Sequence, residues 1–248
     1  MKKHVKHIEP VKRRYRIHTN DDSFLIEEDT LVHFRLVVGK DLTPDDLRAI
    51  QAYDDQVRGL QQAYHYLSFK PRSVAQMKEY LRGKDVHDVE SILQQLKDKG
   101  YVKDEATAQW ILEQTQLQHK GQNVAKQKMI QAKIHPSIIE AVLQQQSVDE
   151  SYAMALARAR KLLKPSTKSL VGTKASMMQK LVTAGFSYEV AKQVIEALQD
   201  DLISVVDEPT AIRRWLAKHS STPREKQIQS LLQQGFSYAL IQRLIDSD

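Results

Sequence analysis

Between Ser151 and Tyr188 the chain has no acidic residue and seven basic ones: Arg158, Arg160, Lys161, Lys164, Lys168, Lys174 and Lys180. A helix C-terminus draws cations through its dipole, which accounts for the first three or four. It does not account for the whole stretch that follows. An acid-free run of this density is suited to holding a polyanion, either nucleic-acid phosphates or an acidic protein groove. A second cluster, Lys12, Arg13, Arg14 and Arg16, lies near the N-terminus. Period-2 alternation would put Lys12, Arg14 and Arg16 on one strand face, opposite Tyr15 and Ile17. A third, smaller candidate is Arg213-Arg214 beside Trp215.

Bond-making chemistry finds no comparable constellation. There are no cysteines, so thiolate catalysis, disulfides and Cys-ligated zinc are excluded. The sequence has no Gly-rich phosphate loop ending in Lys-Ser/Thr and no paired-histidine zinc helix. His4 and His7 are close enough to share a metal but stand in a segment expected to fray, so no metal site is assigned. Glu27-Glu28-Asp29 is an acidic helix start rather than an acid–base pair. Trp110 and Trp215 are expected to anchor helices in local cores rather than stack on bases. The chain is therefore expected to be non-enzymatic, with no cofactor and no metal.

Composition agrees with a binding protein. The 248 residues carry 37 Lys plus Arg against 31 Asp plus Glu, a net charge of +6. Only 8 Gly and 7 Pro break a chain that is 41% hydrophobic, so helices should dominate. No apolar run approaches the ~18 residues of a membrane span, and the N-terminus lacks the apolar core of a signal peptide. No membrane partner is expected, and the absence of cysteine leans toward a cytoplasmic setting.

The elements that must carry the cations repeat. Gly185-Phe186-Ser187-Tyr188 recurs as Gly235-Phe236-Ser237-Tyr238, 50 residues on. Such a period marks small units that bury a core only by stacking. In each copy the Gly is expected to end one helix in a left-handed conformation, the Phe to enter the core and the Ser to cap the next helix. Apolar stripes follow at Val190, Ala191, Val194, Ile195 and at Leu240, Ile241, Leu244, Ile245. The same spacing appears in Ile138, Ile139, Val142, Leu143 and, less regularly, in Val89, Ile92, Leu93, Leu96. The turn glycine is replaced by Lys133 in the second unit and Asp85 in the first, so the second unit is expected to turn differently.

A further marker, Asp-Glu-x-x-Ala, begins at Asp104, Asp149 and Asp207, where the Asp is expected to be the N-cap. Asp54-Asp55 would be its degenerate first copy. Four three-helix units are thus expected at 51–103, 104–148, 149–206 and 207–248. Connectors are expected at 99–103, 144–148 and 202–206. Residues 1–50 differ: a β-hairpin over Lys12–Thr19 and Phe24–Ile26, a short helix over Thr30–Val38 closed by Gly39, and a helix opened by Thr43-Pro44. The expected fold is mainly α, an elongated tandem array of three-helix units behind a small hairpin-containing segment.

These residues resemble the RecX family of regulatory proteins. The run Ala63-x-x-Tyr66-Leu67-Ser68-x-x-Pro71-Arg72-Ser73, followed by Met77 and Leu81, is similar to that family's first unit. So are Leu96-x-x-x-Gly100-Tyr101-x-x-Asp104-Glu105-x-x-Ala108, Leu36-x-x-Gly39-Lys40-x-Leu42 and the repeated Gly-Phe-Ser-Tyr. The resemblance implies tandem three-helix units that bind the RecA recombinase. It also implies lodging in the groove of the RecA filament on DNA and restraining ATPase and strand exchange. Two departures stand out: Lys120-Gly121-Gln122-Asn123 where more arginine is expected, and a fourth unit beyond the family's three-unit core. The partners expected are the RecA filament and single- or double-stranded DNA, met by a monomer through Lys12, Arg14, Arg16, Arg158, Arg160, Lys161, Lys164, Lys168, Lys174, Arg213 and Arg214. The alternative is a helix-turn-helix DNA-binding protein acting without a recombinase.

Overall fold

A computed structural model describes residues 2–84 and 86–246. Two compact bodies form, Met1–Ala108 with Ala132–His135, and Gln109–Gln131 with Pro136–Asp248.

The first body opens with strands β1 (Lys3–Val11), β2 (Arg14–Thr19) and β3 (Ser23–Glu27). Helix α1 (Glu28–His33), the short strand β4 (Asp41–Leu42) and helix α2 (Pro44–Leu67) come next. The sheet is antiparallel in the order β3-β2-β1-β4, so the expected hairpin is two strands of a four-stranded sheet. The segment holding His4 and His7 is not frayed but forms β1, an inner strand. Its charged residues hide it, because only Val5 is fully buried. Lys12 adopts φ 59° in the β1–β2 turn, so it leaves the strand face on which Arg14 and Arg16 were expected to join it. Ile17 and Ile26 meet Val5, Leu36, Leu42 and Ile50 in the core beneath the sheet.

Helix α1 ends at His33 rather than at Gly39. Arg35, at φ 46°, makes the left-handed turn: its N–H donates to Val32 O and the Leu36 N–H reaches back to Leu31 O. Gly39 takes φ 93° later, in the turn that leads into β4. Thr43 caps α2 as expected, in a reciprocal box with Asp46. That helix then continues for 24 residues, through residue 50 and through Asp54-Asp55, which is not a helix start. Helices α3 (Val74–Arg82) and α4 (Val89–Asp98) close a second core of Ala63, Met77, Leu81, Ile92 and Leu96. The expected turn residue Asp85 lies outside the described residues.

The second body begins within α5 (Asp104–Leu117) and continues with α6 (Gln122–Gln131), α7 (Pro136–Leu143), α8 (Val148–Leu162), α9 (Leu170–Thr183) and α10 (Tyr188–Ala197). It ends with α11 (Gln199–Ser204), α12 (Glu208–Lys218), α13 (Arg224–Gln233) and α14 (Tyr238–Ile245). Phe186 and Phe236 are buried in successive cores, and Ser187 and Ser237 accept the N–H groups of Val190 and Leu240 as helix caps. Gly185 and Gly235 take φ 94° and 85°. Lys133 takes φ 56°, so the second unit makes the same left-handed turn despite its side chain. Helix α11 fills much of the expected connector 202–206.

Successive helix triplets join in one recurring way. Ser73, the N-cap of α3, donates from Oγ to Ala132 O at 2.5 Å while accepting the Gln76 N–H. Ser169, the N-cap of α9, donates to Gln234 O at 2.5 Å while accepting the Gly172 N–H. At the start of α6 the backbone does this work: Gly121 N–H donates to Ala184 O at 2.8 Å and Asn123 N–H to Gly185 O at 3.1 Å. Ala132, Ala184 and Gln234 each immediately precede a left-handed residue. The carbonyls released by each turn thus dock on the start of the second helix one triplet earlier. A Cβ on Gly121 would strike the Gly185 carbonyl, and one on Gly185 would come within 2.8 Å of Val124.

The acidic markers serve the same joints. Asp104 accepts the Val74 N–H at 2.9 Å, and Glu208 accepts the Leu170 N–H at 2.7 Å, each on the preceding triplet's second helix. Asp207 is the expected N-cap, holding Thr210 N–H. Asp149 is not. Ser147 caps α8 in a box with Glu150, two residues earlier than expected, which turns Ala153 outward while Ala108 and Ala211 are buried.

Candidate polyanion-binding surface

Two of the four cations of the sheet cluster are neutralised by its own fold. Arg14 faces Glu27 (Nε to Oε1, 2.9 Å) and Asp54 (Nη2 to Oδ2, 3.3 Å), both carboxylates being buried. The Glu27 contact is an ion pair rather than an aligned hydrogen bond. Asp54 also accepts the Glu27 N–H at 2.6 Å and the Thr30 hydroxyl at 2.8 Å, and pairs with Arg58. This network pins β2, β3 and α1 to α2. Arg16 lies 3.3 Å from Glu9, whose carboxyl is held below its ordinary range, first by the His18 hydrogen bond and then by the charges of His18 and Arg16. Of the three expected contacts here, only Lys12 stays exposed and unpaired among the described residues.

The cations along α8, the following loop and α9 have a different fate. Arg158, on α8, is half-buried and donates to His119 O at 3.3 Å, closing the end of α5. Lys174, on α9, reaches Gln199 Oε1 at 3.1 Å. Arg160, Lys161, Lys164, Lys168 and Lys180 are exposed, and none has an ion-pair partner among the described residues. Lys164, Lys168 and Lys180 line one cavity of about 180 Å³ with Ser166, Thr173 and Ser176. Its other lining residues are Leu162, Pro165 and Met177. Lys180 and the three hydroxyls were not among the expected contacts. Their convergence depends on how the α8–α9 loop folds, which no local pattern reveals.

That loop is held in place. Ser166 N–H donates to Val205 O at 2.8 Å, and Ser166 pairs with Val206 in a parallel bridge. Ser166 Oγ accepts the Lys168 N–H at 3.2 Å and lies 2.9 Å from Thr173 Oγ1. Arg213 and Arg214, on α12, are also exposed. With the Thr210 hydrogen bonds acting first, they help keep the Asp207 carboxyl low. Trp215 stacks on His219 at 4.0 Å against the last core, in the anchoring role expected of it. Among the described residues no group of three or more metal-ligating side chains converges, and no helix is long and apolar enough to cross a membrane.

Fold and surface together define a helical-repeat protein that carries a small sheet and an unpaired basic face. No family model matches the chain. It is 30% identical to the regulatory protein RecX of Listeria innocua, over 93% of this chain and 90% of that one. It is 32% identical to the regulatory protein RecX of Streptococcus mutans, over 96% of both. A crystal structure of regulatory protein RecX superposes with a TM-score of 0.57 at 25% identity, covering 78% of this chain and 99% of the other. RecX from Lactobacillus salivarius gives 0.54 at 26%, covering 59% and 98%. The chain belongs to the RecX family of regulatory proteins.

Proposed function

We propose that this chain regulates the RecA recombinase filament in DNA repair and recombination, by binding rather than by catalysis. Kinship with RecX regulatory proteins along nearly the whole chain carries this reading. The protein acts as a cytoplasmic monomer that lodges in the filament groove and restrains ATPase and strand exchange. Successive three-helix units each add modest affinity, and their linkage raises the effective concentration of the next contact. The unpaired cations of the second body, Arg160, Lys161, Lys164 and Lys168, supply the electrostatic part, with Arg213 and Arg214 beyond them. A surface rich in cations without internal partners also speeds encounter with a polyanionic filament.

The test is RecA's DNA-dependent ATPase with stoichiometric purified protein. Turnover should fall severalfold, and the paired reversal Arg160→Glu with Lys161→Glu should weaken the effect. Unchanged turnover with the unaltered protein overturns the proposal.

A further inference from the structure

We propose that the cavity between the α8–α9 loop and α9 is a phosphate-binding site, and that the phosphate it takes belongs to a nucleic-acid backbone. The proposal deepens the reading of the basic face given above. Three lysines, Lys164, Lys168 and Lys180, line one cavity with three hydroxyl-bearing residues and no acidic residue. Carboxylates do occur on neighbouring elements, but elsewhere: Asp200 and Asp201 on α11 do not line it, and Glu208 on α12 is taken by the Leu170 N–H. Lysines lining one pocket with no acidic residue among them repel one another, and a bound anion relieves that repulsion.

Size and donor chemistry narrow the anion. A volume of about 180 Å³ is below the roughly 300–1,000 Å³ of sites for drug-sized molecules, so one small group enters while the remainder of its molecule stays outside. Lysine binds phosphate as a flexible point charge, and hydroxyls add directed donors. When Ser166 donates to Thr173, the Thr173 proton is free to enter the cavity. A tetrahedral group with several outward oxygens can use the five donor groups that remain, three ammoniums and the hydroxyls of Thr173 and Ser176. A planar carboxylate has two oxygens in one plane and leaves donors idle. The pairing of Ser166 with Val205 and Val206 sets the lysine loop before any ligand arrives, which lowers the ordering cost of binding.

The experiment is fluorescence anisotropy of the full chain with a labelled single-stranded oligonucleotide, without RecA, over a series of salt concentrations. The unaltered protein should bind. The triple variant Lys164→Gln/Lys168→Gln/Lys180→Gln should bind at least tenfold more weakly, with a log–log salt slope shallower by about 0.7, the contribution of the one single-strand phosphate the cavity holds. The triple variant to Arg should retain binding, and circular dichroism should show both variants folded. Displacement of the oligonucleotide by micromolar pyrophosphate would assign the site to free phosphate groups; resistance to pyrophosphate assigns it to the backbone. The first result keeps a phosphate site but overturns its assignment to a nucleic-acid backbone; the second supports both. No oligonucleotide binding, binding unchanged in the Gln variant, or equal competition by polyglutamate overturns it. Altered ATPase restraint with intact oligonucleotide binding would count against this cavity alone, whereas lost oligonucleotide binding with no effect on RecA at all would count against the proposed function alone.

Discussion

The two basic clusters look alike as sequence and differ as structure. On the sheet, Arg14 meets two buried carboxylates and Arg16 pairs with the half-buried Glu9, so two of that cluster's four cations are spent inside the first body. Along α8, the following loop and α9, five of seven cations are exposed with no ion-pair partner among the described residues. The lesson concerns counting. The number of cations in a window says little until the carboxylates that can reach them from elsewhere in the chain are known. Arg14 finds its second partner 40 residues away, on α2.

The comparison breaks most readily at Arg14. Arg14→Gln strands Glu27 and Asp54 as buried carboxylates with weakened compensation, and should cost about 3–5 kcal/mol in urea unfolding. Lys164→Gln and Lys168→Gln should each stay within about 0.5 kcal/mol of the unaltered protein. Similar costs at the two sites would mean that both clusters are structural. The next effect contrasts the same turn in the two bodies. Gly185→Ala combines a left-handed residue with a clash against Val124, and should lose about 2–4 kcal/mol. Lys133→Gly relaxes the equivalent turn and should gain up to about 1 kcal/mol, less whatever the Lys133–Glu79 ion pair at 3.0 Å provides. A stabilised Gly185→Ala would show that the joint there is loose.

The smallest effect is in acid. The carboxyl of Asp207 lies below its ordinary value of 3.8, chiefly through the Thr210 N–H. Its folded pKa is depressed, so its contribution is present above the unfolded value and lost as pH falls through the lower folded one. Asp207→Asn should flatten that decline when unfolding at about pH 5 is compared with about pH 3. A decline as steep as in the unaltered protein would remove Asp207 from the account.

What was legible in the sequence was local. The Gly, Phe and Ser of the repeated tetrapeptide do what their types predict, because a turn, a cap and a core contact are settled within about a dozen residues. The capping box at Thr43 was legible for the same reason. Strand β1 was not: Lys3-His4-Val5-Lys6-His7 shows one inward residue, and its stability comes from pairing on both sides with β2 and β4. The left-handed Lys133 was missed because side-chain preference argued against it, and the repeated joint overrode that preference. At the candidate site the cations were visible, but their sorting into paired, structural and free was not. The bonds that decide it link Arg158 to His119, Ser166 to Val205 and Arg14 to Asp54.

The joints between triplets have a consequence for descent. Their acceptors are main-chain carbonyls, and at Gly121 the donor is main chain as well. Such a coupling reads backbone shape on its acceptor side and asks only for a small donor, a serine or a glycine, at the start of the second helix. Sequences can therefore drift around it as long as the left-handed turn and the small donor opposite it are kept. The last triplet departs from the serine pattern. Its second helix begins after Pro223, which provides no side-chain cap, where Ser73 and Ser169 stand in earlier copies. Pro223→Ser would give that helix the kind of side-chain cap that Ser73 and Ser169 provide.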